Sequence, residues 1–256
     1  MPDGRRLSRG AIAAASRTYH GDGMERVDDD QRTSDAGSAL SDVFWLGGSP
    51  CAGKSTVAEV LARRFEIDVY RVDEAFEDHV PALDPARQPE LVRWLAASAN
   101  ERWLRPVDDL VREAVACYRE HFAMVLADVV VRARPRPLLV EGTALLPAEV
   151  SAVVPRGDRA LWLVAAPDFQ RRHYRQRAWA RSVVASSDDP ERAFENWMER
   201  DVRFAAWVQA ETDALGLYRM TVDGGRTVDE VAQAAATQCG WGGGGRGLPL
   251  RRAPSG

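Results

Sequence analysis

At 256 residues the chain is long enough for one α/β domain with a full core, and its 45% hydrophobic and 28% charged residues are ordinary proportions for a globular protein. A net charge of −4 and a pI near 5.7 argue against a general nucleic-acid binder, whose footprint is a basic excess. Three widely spaced cysteines, Cys51, Cys117 and Cys239, suit free thiols in a reducing, cytoplasmic setting better than a disulfide frame or a zinc site.

Residues 1–40 hold few large apolar side chains and many Gly, Ser, Asp and Arg, so a disordered arm is expected there. Arg5 and Arg6 precede Ala11-Ile12-Ala13-Ala14-Ala15, but that apolar stretch is shorter than the ~7–15 residues of an export-signal core. No run approaches the ~20 apolar residues of a membrane span, and no membrane partner is expected.

The run Val43-Phe44-Trp45-Leu46 predicts a buried strand. It leads into GSPCAGKST, Gly48 to Thr56, which fits the phosphate-binding pattern G-x-x-x-x-G-K-[ST] with Gly48, Gly53, Lys54 and Ser55 at the fixed positions. The chain has 34 basic residues and Lys54 is its single lysine. A compact ammonium reaches phosphate oxygens as a point charge where a planar guanidinium does not fit, so the exception has a physical reason. Gly48 and Gly53 free the backbone to aim successive N–H groups into one concave nest. Ser55 opens a helix whose positive end faces the same anion, with its hydroxyl placed to ligate magnesium. In that helix Val57, Val60, Leu61 and Phe65 share the inner face, and Arg63 and Arg64 turn outward. Cys51 reads as a small filler rather than a nucleophile.

Four further apolar runs alternate with helical stretches, the mark of a parallel sheet with crossover helices: Val69–Val72, Leu138–Val140, Ala160–Ala165 and Leu217–Val222. Each is followed by a polar junction, namely Asp73-Glu74, Glu141-Gly142, Pro167-Asp168 and Asp223-Gly224. Ligands gather outside the carboxyl ends of such strands, so the four junctions are expected to line one crevice with the phosphate loop.

Between the second and third runs, helical periodicity over Pro89–Arg105 and Val107–Arg132 predicts a cap. In the longer stretch Leu110, Ala114, Tyr118, Phe122, Leu126 and Val129 form an apolar stripe that reads as core. Trp94 and Trp103 read either as pocket lining or as packing, and His79 is the histidine nearest the expected pocket. From Asp168 to about Gly216, arginines at 171, 172, 175, 177 and 181 crowd one helix, with Arg177 and Arg181 sharing a face with Tyr174. They read either as a solvated face or as phosphate contacts. Asp189 and Pro190 look like the cap and first residue of another helix, which buries Phe194, Trp197, Met198, Ala205 and Val208 and leaves Glu199, Arg200 and Arg203 nearer solvent or ligand. The segment 240–256 reads as a flexible tail.

Taken together, GSPCAGKST, the strand ending in Asp73-Glu74, LLVEGTALLP, the arginine-rich segment and TVDGGRTVDEVA resemble the P-loop small-molecule kinases of the nucleoside-monophosphate-kinase-like group. That group includes shikimate kinase, gluconate kinase and chloramphenicol phosphotransferase. The resemblance spans residues 42–238 in layout, and its most specific element is the phosphate loop. It implies a three-layer α/β P-loop NTPase fold with a mainly parallel five-stranded sheet in a domain over 41–239, with an acceptor-side helical insertion at 75–136 and an arginine-rich lid at 168–216. It further implies that Gly48, Ser49, Pro50, Cys51, Ala52, Gly53, Lys54, Ser55 and Thr56 wrap the phosphates of ATP with Ser55 on magnesium, and that Arg177 or Arg181 faces the transferring phosphoryl group. Glu141 stands where the group usually has an aspartate that holds magnesium through water; the departure leaves it as metal holder, substrate contact or orienting residue.

Asp73 lies 19 residues after Lys54 at the expected end of the second strand, where a carboxylate either orients or deprotonates an alcohol or caps the next helix. The resulting expectation is ATP-dependent transfer of the γ-phosphoryl group to a hydroxyl of a small-molecule acceptor. The alternatives are a regulatory nucleotide-binding ATPase and a kinase acting on a nucleotide or a nucleic-acid end. The chain lacks an N-K-x-D guanine signature and an Asp-Glu pair after the Leu138 strand, its arginines Arg87, Arg93 and Arg102 are scattered, and its balance is acidic.

Overall fold

The computed structural model describes residues 40–133, 137–154 and 159–241. Five strands, β1 (Val43–Gly48), β2 (Asp68–Arg71), β3 (Leu138–Glu141), β4 (Ala160–Ala165) and β5 (Arg219–Val222), form one sheet in the order β2-β3-β1-β4-β5. All four neighbouring pairs are parallel. The three central strands are buried along their whole length, as a sheet covered on both faces requires.

Side-chain alternation assigns the two faces. Phe44, Leu46, Leu139, Leu161 and Leu163 meet Val57, Ala58 and Leu61 of α1 (Lys54–Phe65) and Val231, Ala232, Ala235 and Ala236 of α10 (Val228–Gln238). Val43, Trp45, Val140, Trp162 and Val164 face the other way, onto Phe122, Leu126 and Val129 of α5 (Val107–Arg132), Val150 of α6 (Pro147–Val153), and Phe204 and Val208 of α9 (Pro190–Ala214). The result is the expected α/β sandwich of helices, parallel sheet and helices. Each buried leucine or valine in it contributes roughly 1.5–3 kcal/mol relative to exposure.

Several elements differ from the sequence expectation. Val72 does not end β2 but opens α2 (Val72–His79). The β2–β3 ladder ends where Arg71 faces Glu141, and the chain turns up against Gly142, where a Cβ would collide with the Val72 side chain. The expected helix Pro89–Arg105 is two, α3 (Pro89–Ala96) and α4 (Ala99–Trp103). Ser98 caps the second of these in a reciprocal box with Glu101, a stronger local solution for the free N–H groups than continuing through Ala97. The arginine-rich helix, α7 (Pro167–Gln176), stops at Arg177, and Arg181 lies on a separate short helix, α8 (Ala180–Val184). β5 begins at Arg219 rather than Leu217. Asp189 does cap α9, accepting from the Arg192 N–H at 3.1 Å, and Pro190 follows as its first residue.

The arm expected over 1–40 and the tail expected over 240–256 lie outside the described residues except at their inner ends. There Leu40 and Trp241 are buried core residues, Trp241 packing 4.3 Å from Phe44 and 5.0 Å from Phe65 between ring centroids. The expected tail therefore starts too early. Among the described residues no helix is long and apolar enough to cross a membrane.

Candidate functional site

The loop between β1 and α1 is built by backbone constraint. Gly48 has φ 130°, and a Cβ there would run into the Leu163 carbonyl of the adjacent strand. Ser49 is fully buried; its N–H donates to Leu163 O at 3.0 Å and its hydroxyl accepts from the Ala165 N–H at 2.9 Å, which ties the loop to β4. Gly53 takes φ 77° as the residue before α1. Cys51 takes φ 59°, an uncommon conformation for a residue with a side chain, of the kind stored at functional turns. Burial pushes its thiol upward in pKa, with Arg177 opposing, so the sulfur stays protonated. Ala52 is buried beneath the loop, while Pro50, Cys51, Gly53, Lys54, Ser55 and Thr56 face a cavity of about 620 Å³.

Lys54 is only 7% exposed. Its Nζ donates to Ser49 O at 2.8 Å and to Thr143 Oγ1 at 3.1 Å, curling the ammonium back over the loop. Burial lowers its pKa; the negative fields of Asp73 and Glu141 act the other way. Glu141, at the carboxyl end of β3 and 4% exposed, is raised by burial, while Lys54 and a hydrogen bond with Ser55 lower it. Register explains the meeting: β1 and β3 are neighbours, with Leu46 opposite Glu141, so the residues after the two strands emerge side by side.

Ser55 and Glu141 thus offer a hydroxyl and a carboxylate in contact, with the Asp73 carboxylate near enough to act on both Lys54 and Glu141. An all-oxygen set of this kind suits a hard divalent cation that keeps water or phosphate in its remaining positions. Among the described residues no group of three or more His, Cys, Asp or Glu side chains is placed to hold a metal ion by itself.

Asp73 is exposed, in the first turn of α2, and lines the cavity. The cap position of that helix is Arg71, and no side chain bonds the free N–H groups there, so Asp73 is not the helix cap. Of the two arginines expected to face phosphate, Arg177 lines the cavity, its guanidinium 5.5 and 5.6 Å from the rings of Tyr174 and Trp179. Arg181 is paired with Glu191 and lies 4.1 Å above the Phe194 ring, outside the cavity wall. The four-residue spacing between them would have meant a shared face only in a continuous helix. The crevice is narrower than expected: of the four junctions only Asp73 lines it, the β3 side reaches it beyond the junction at Thr143, and Glu141, Asp168 and Asp223 do not line it.

The cavity continues from the loop beneath α2, α3, α4 and α5, where Trp94, Trp103, Leu110, Ala114 and Tyr118 line it. The stripe on α5 therefore divides: its amino-terminal part is wall and only Phe122, Leu126 and Val129 are sheet core. Among histidines His121, not His79, reaches the cavity; His79 sits behind it, with Nδ1 3.0 Å from His121 Nε2 and Nε2 3.3 Å from Asp128 Oδ2. Burial and the neighbouring His79 push His121 down to about 4, so its ring is neutral. Sequence reasoning also passed over Thr143, and left Arg200 undecided between solvent and ligand. No local pattern marks Thr143. Arg200 lines the cavity and is held by buried Asp201, with Nε 2.7 Å from Oδ1.

No family model matches the chain, and no curated protein matches it. Among solved structures, the chain is similar to a shikimate kinase from Aquifex aeolicus vf5 at 15% identity, with a TM-score of 0.34, over 76% of this chain and 94% of that one. Strand order and loop geometry in the chain itself define its class, an α/β protein with a parallel five-stranded sheet and a phosphate-type loop between β1 and α1.

Proposed function

We propose that the chain is an ATP- and magnesium-dependent phosphotransferase that moves the γ-phosphoryl group to a hydroxyl of a small molecule. One observation supports this reading above the others: the face of the phosphate loop bearing Lys54 and Ser55 opens into a chamber roofed by α2 to α5, with Asp73 on its wall. A regulatory ATPase needs the loop but has no use for the chamber that continues from it.

In this reading the loop amides and Lys54 hold the β- and γ-phosphates, and the ammonium shifts from Ser49 O and Thr143 to phosphate oxygens. Ser55 and Glu141 would hold magnesium, whose charge offsets that of the phosphates. The acceptor oxygen attacks the γ-phosphorus as the bond from that phosphorus to the bridging oxygen of ADP breaks. The hydroxyl proton passes to the Asp73 carboxylate and then to solvent. Arg177, from the chain between α7 and α8, adds positive charge at the transferred group. In this reading α2–α5 would serve as the acceptor-side insertion and α7–α9 as the lid.

Release of ADP across a panel of hydroxylated acceptors, with Lys54→Ala as blank, tests the reading. Acceptor-dependent, magnesium-dependent release is the expected result; ADP release indifferent to any acceptor would assign the chain to the regulatory ATPases instead.

A further inference from the structure

The cavity has two ends of unlike chemistry. Lys54, Ser55 and Asp73 stand at one end; the side made by α3, α4 and the first half of α5, closed by α9, is walled by Leu91, Trp94, Trp103, Leu110 and Trp197. The indoles of Trp103 and Trp197 lie 5.3 Å apart at 32°, a packed aromatic surface rather than two isolated rings.

The charged side chains that these elements bring to the wall are already engaged, Arg102 with backbone carbonyls and an indole face, Glu113 and Arg200 with opposite charges. Arg102 donates through Nε to Trp94 O at 2.9 Å and through Nη2 to Leu95 O at 2.7 Å, and its guanidinium lies 4.7 Å over the Trp94 ring. Glu113 is paired with Arg105, and Arg93 stands 3.6 Å from it. Arg200 is bound to Asp201 at 2.5 Å and lies 5.2 Å over the Trp103 ring. A phosphate or carboxylate on the acceptor would have to draw Arg102 from its carbonyls or Arg200 from Asp201, or remain buried without a partner, and each outcome opposes binding. Arg177 also lines the wall, over the rings of Tyr174 and Trp179; its charge reaches Cys51 of the phosphate loop, where the proposed reaction places the transferred phosphoryl group. His121, farther along α5, adds an uncharged imidazole to the wall beside Tyr118, with Nε2 3.0 Å from His79 Nδ1.

Resting on the phosphotransferase reading, we infer that the acceptor is an uncharged, ring-bearing alcohol, seated against the indoles of Trp94, Trp103 and Trp197 and donating a hydrogen bond to His121, and that nucleoside monophosphates and sugar acids are refused. Ring stacking on such a wall rewards an aryl group beyond its buried area; with His79 Nε2 donating to the Asp128 carboxylate and its Nδ1 accepting from His121 Nε2, the other nitrogen of His121 is an acceptor and asks for a donor.

The test uses the whole chain with magnesium and a non-hydrolysable ATP analogue, following tryptophan fluorescence during titration with 1-(2-naphthyl)ethane-1,2-diol, gluconate or adenosine monophosphate. The expected result is saturable quenching by the diol alone. Trp94→Ala should weaken the diol about tenfold; because that side chain is half-buried, Trp94→Leu serves as a second variant that keeps apolar volume without the indole. ADP release with true ATP is then measured on the same three compounds. Diol binding without ADP release would leave the chamber chemistry standing and overturn the phosphotransferase reading. Saturation or ADP release with gluconate or adenosine monophosphate, or no diol binding up to its solubility, would overturn the inference while leaving a phosphotransferase open to a different acceptor.

Discussion

The Lys54 ammonium donates to the Thr143 hydroxyl at 3.1 Å across 89 residues of sequence, joining the phosphate loop to the turn that follows β3. The contact holds the lysine in a buried position, and among the described residues its ammonium forms no salt bridge with a carboxylate. Lys54→Ala should abolish acceptor-dependent ADP release, and Lys54→Arg should do nearly as badly, because a planar guanidinium does not fit the space of the ammonium. A loss of about 10²-fold or more in turnover is expected for either. Thr143→Val should fall between these and the parent, as measured by steady-state ADP release.

Asp73 is exposed and caps nothing, so Asp73→Asn should leave stability within about 0.5 kcal/mol. Turnover should fall by about 10²-fold or more while affinity for magnesium-ATP holds. Calorimetric titration beside steady-state kinetics separates the two quantities, and an unchanged turnover removes Asp73 from the chemistry.

Gly142 lets the start of α2 lie against the end of β3, since a Cβ there would also meet Val72 Cγ2 at 2.9 Å. Gly142→Ala should cost about 1–3 kcal/mol through overpacking, read from a urea midpoint. Because Val72 directly precedes Asp73, activity should drop further than the stability loss alone explains.

His121 is held near 4 by burial, against an unfolded value near 6.5. Between these limits the unfolded chain binds the proton first, so the native state loses stability as pH falls through this window, by about 3 kcal/mol at most. The groups facing the ring are His79, itself bonded to Asp128, and Phe76. His121→Gln should flatten the slope of unfolding free energy between pH 6.5 and 4 relative to the parent, measured by urea titration at a series of pH values.

Trp241→Ala should cost about 3–5 kcal/mol, as expected for an aromatic side chain wedged against Phe44 and Phe65. Among the described residues its indole Nε1 has no hydrogen-bond partner. Trp241→Phe should therefore be tolerated within about 1.5 kcal/mol, and thermal unfolding of both variants checks the contrast.

What could be read in the sequence follows from how local each determinant is. The phosphate loop was legible because its parts act through backbone freedom and one cation within nine residues. β4 and α5 were legible to the residue, the first from an unbroken apolar run and the second from a periodicity sustained over seven turns. Val72 was misassigned because its own apolar character continues the strand, and the reason to turn lies at Gly142 on another strand. The break at Ser98 did carry a signal, the Ser98 to Glu101 capping spacing, which a periodicity count overlooks. Arg181 was grouped with Arg177 on the premise of an unbroken helix. The partnership of His79, His121 and Asp128 arises from packing α2 against α5 and leaves no trace in spacing.

Helix α5 serves two masters along a length of about 39 Å: its carboxyl-terminal half is bolted into the sheet, and its amino-terminal half is the back of the chamber. That wall is a fixed gauge, since displacing it would mean prising Phe122, Leu126 and Val129 out of the sheet. Accommodation of differently shaped guests must come from the short segments opposite, α3, α4 and α8, each of eight residues or fewer. Substitutions that retune which molecules are admitted should therefore accumulate on those three pieces and spare the long helix.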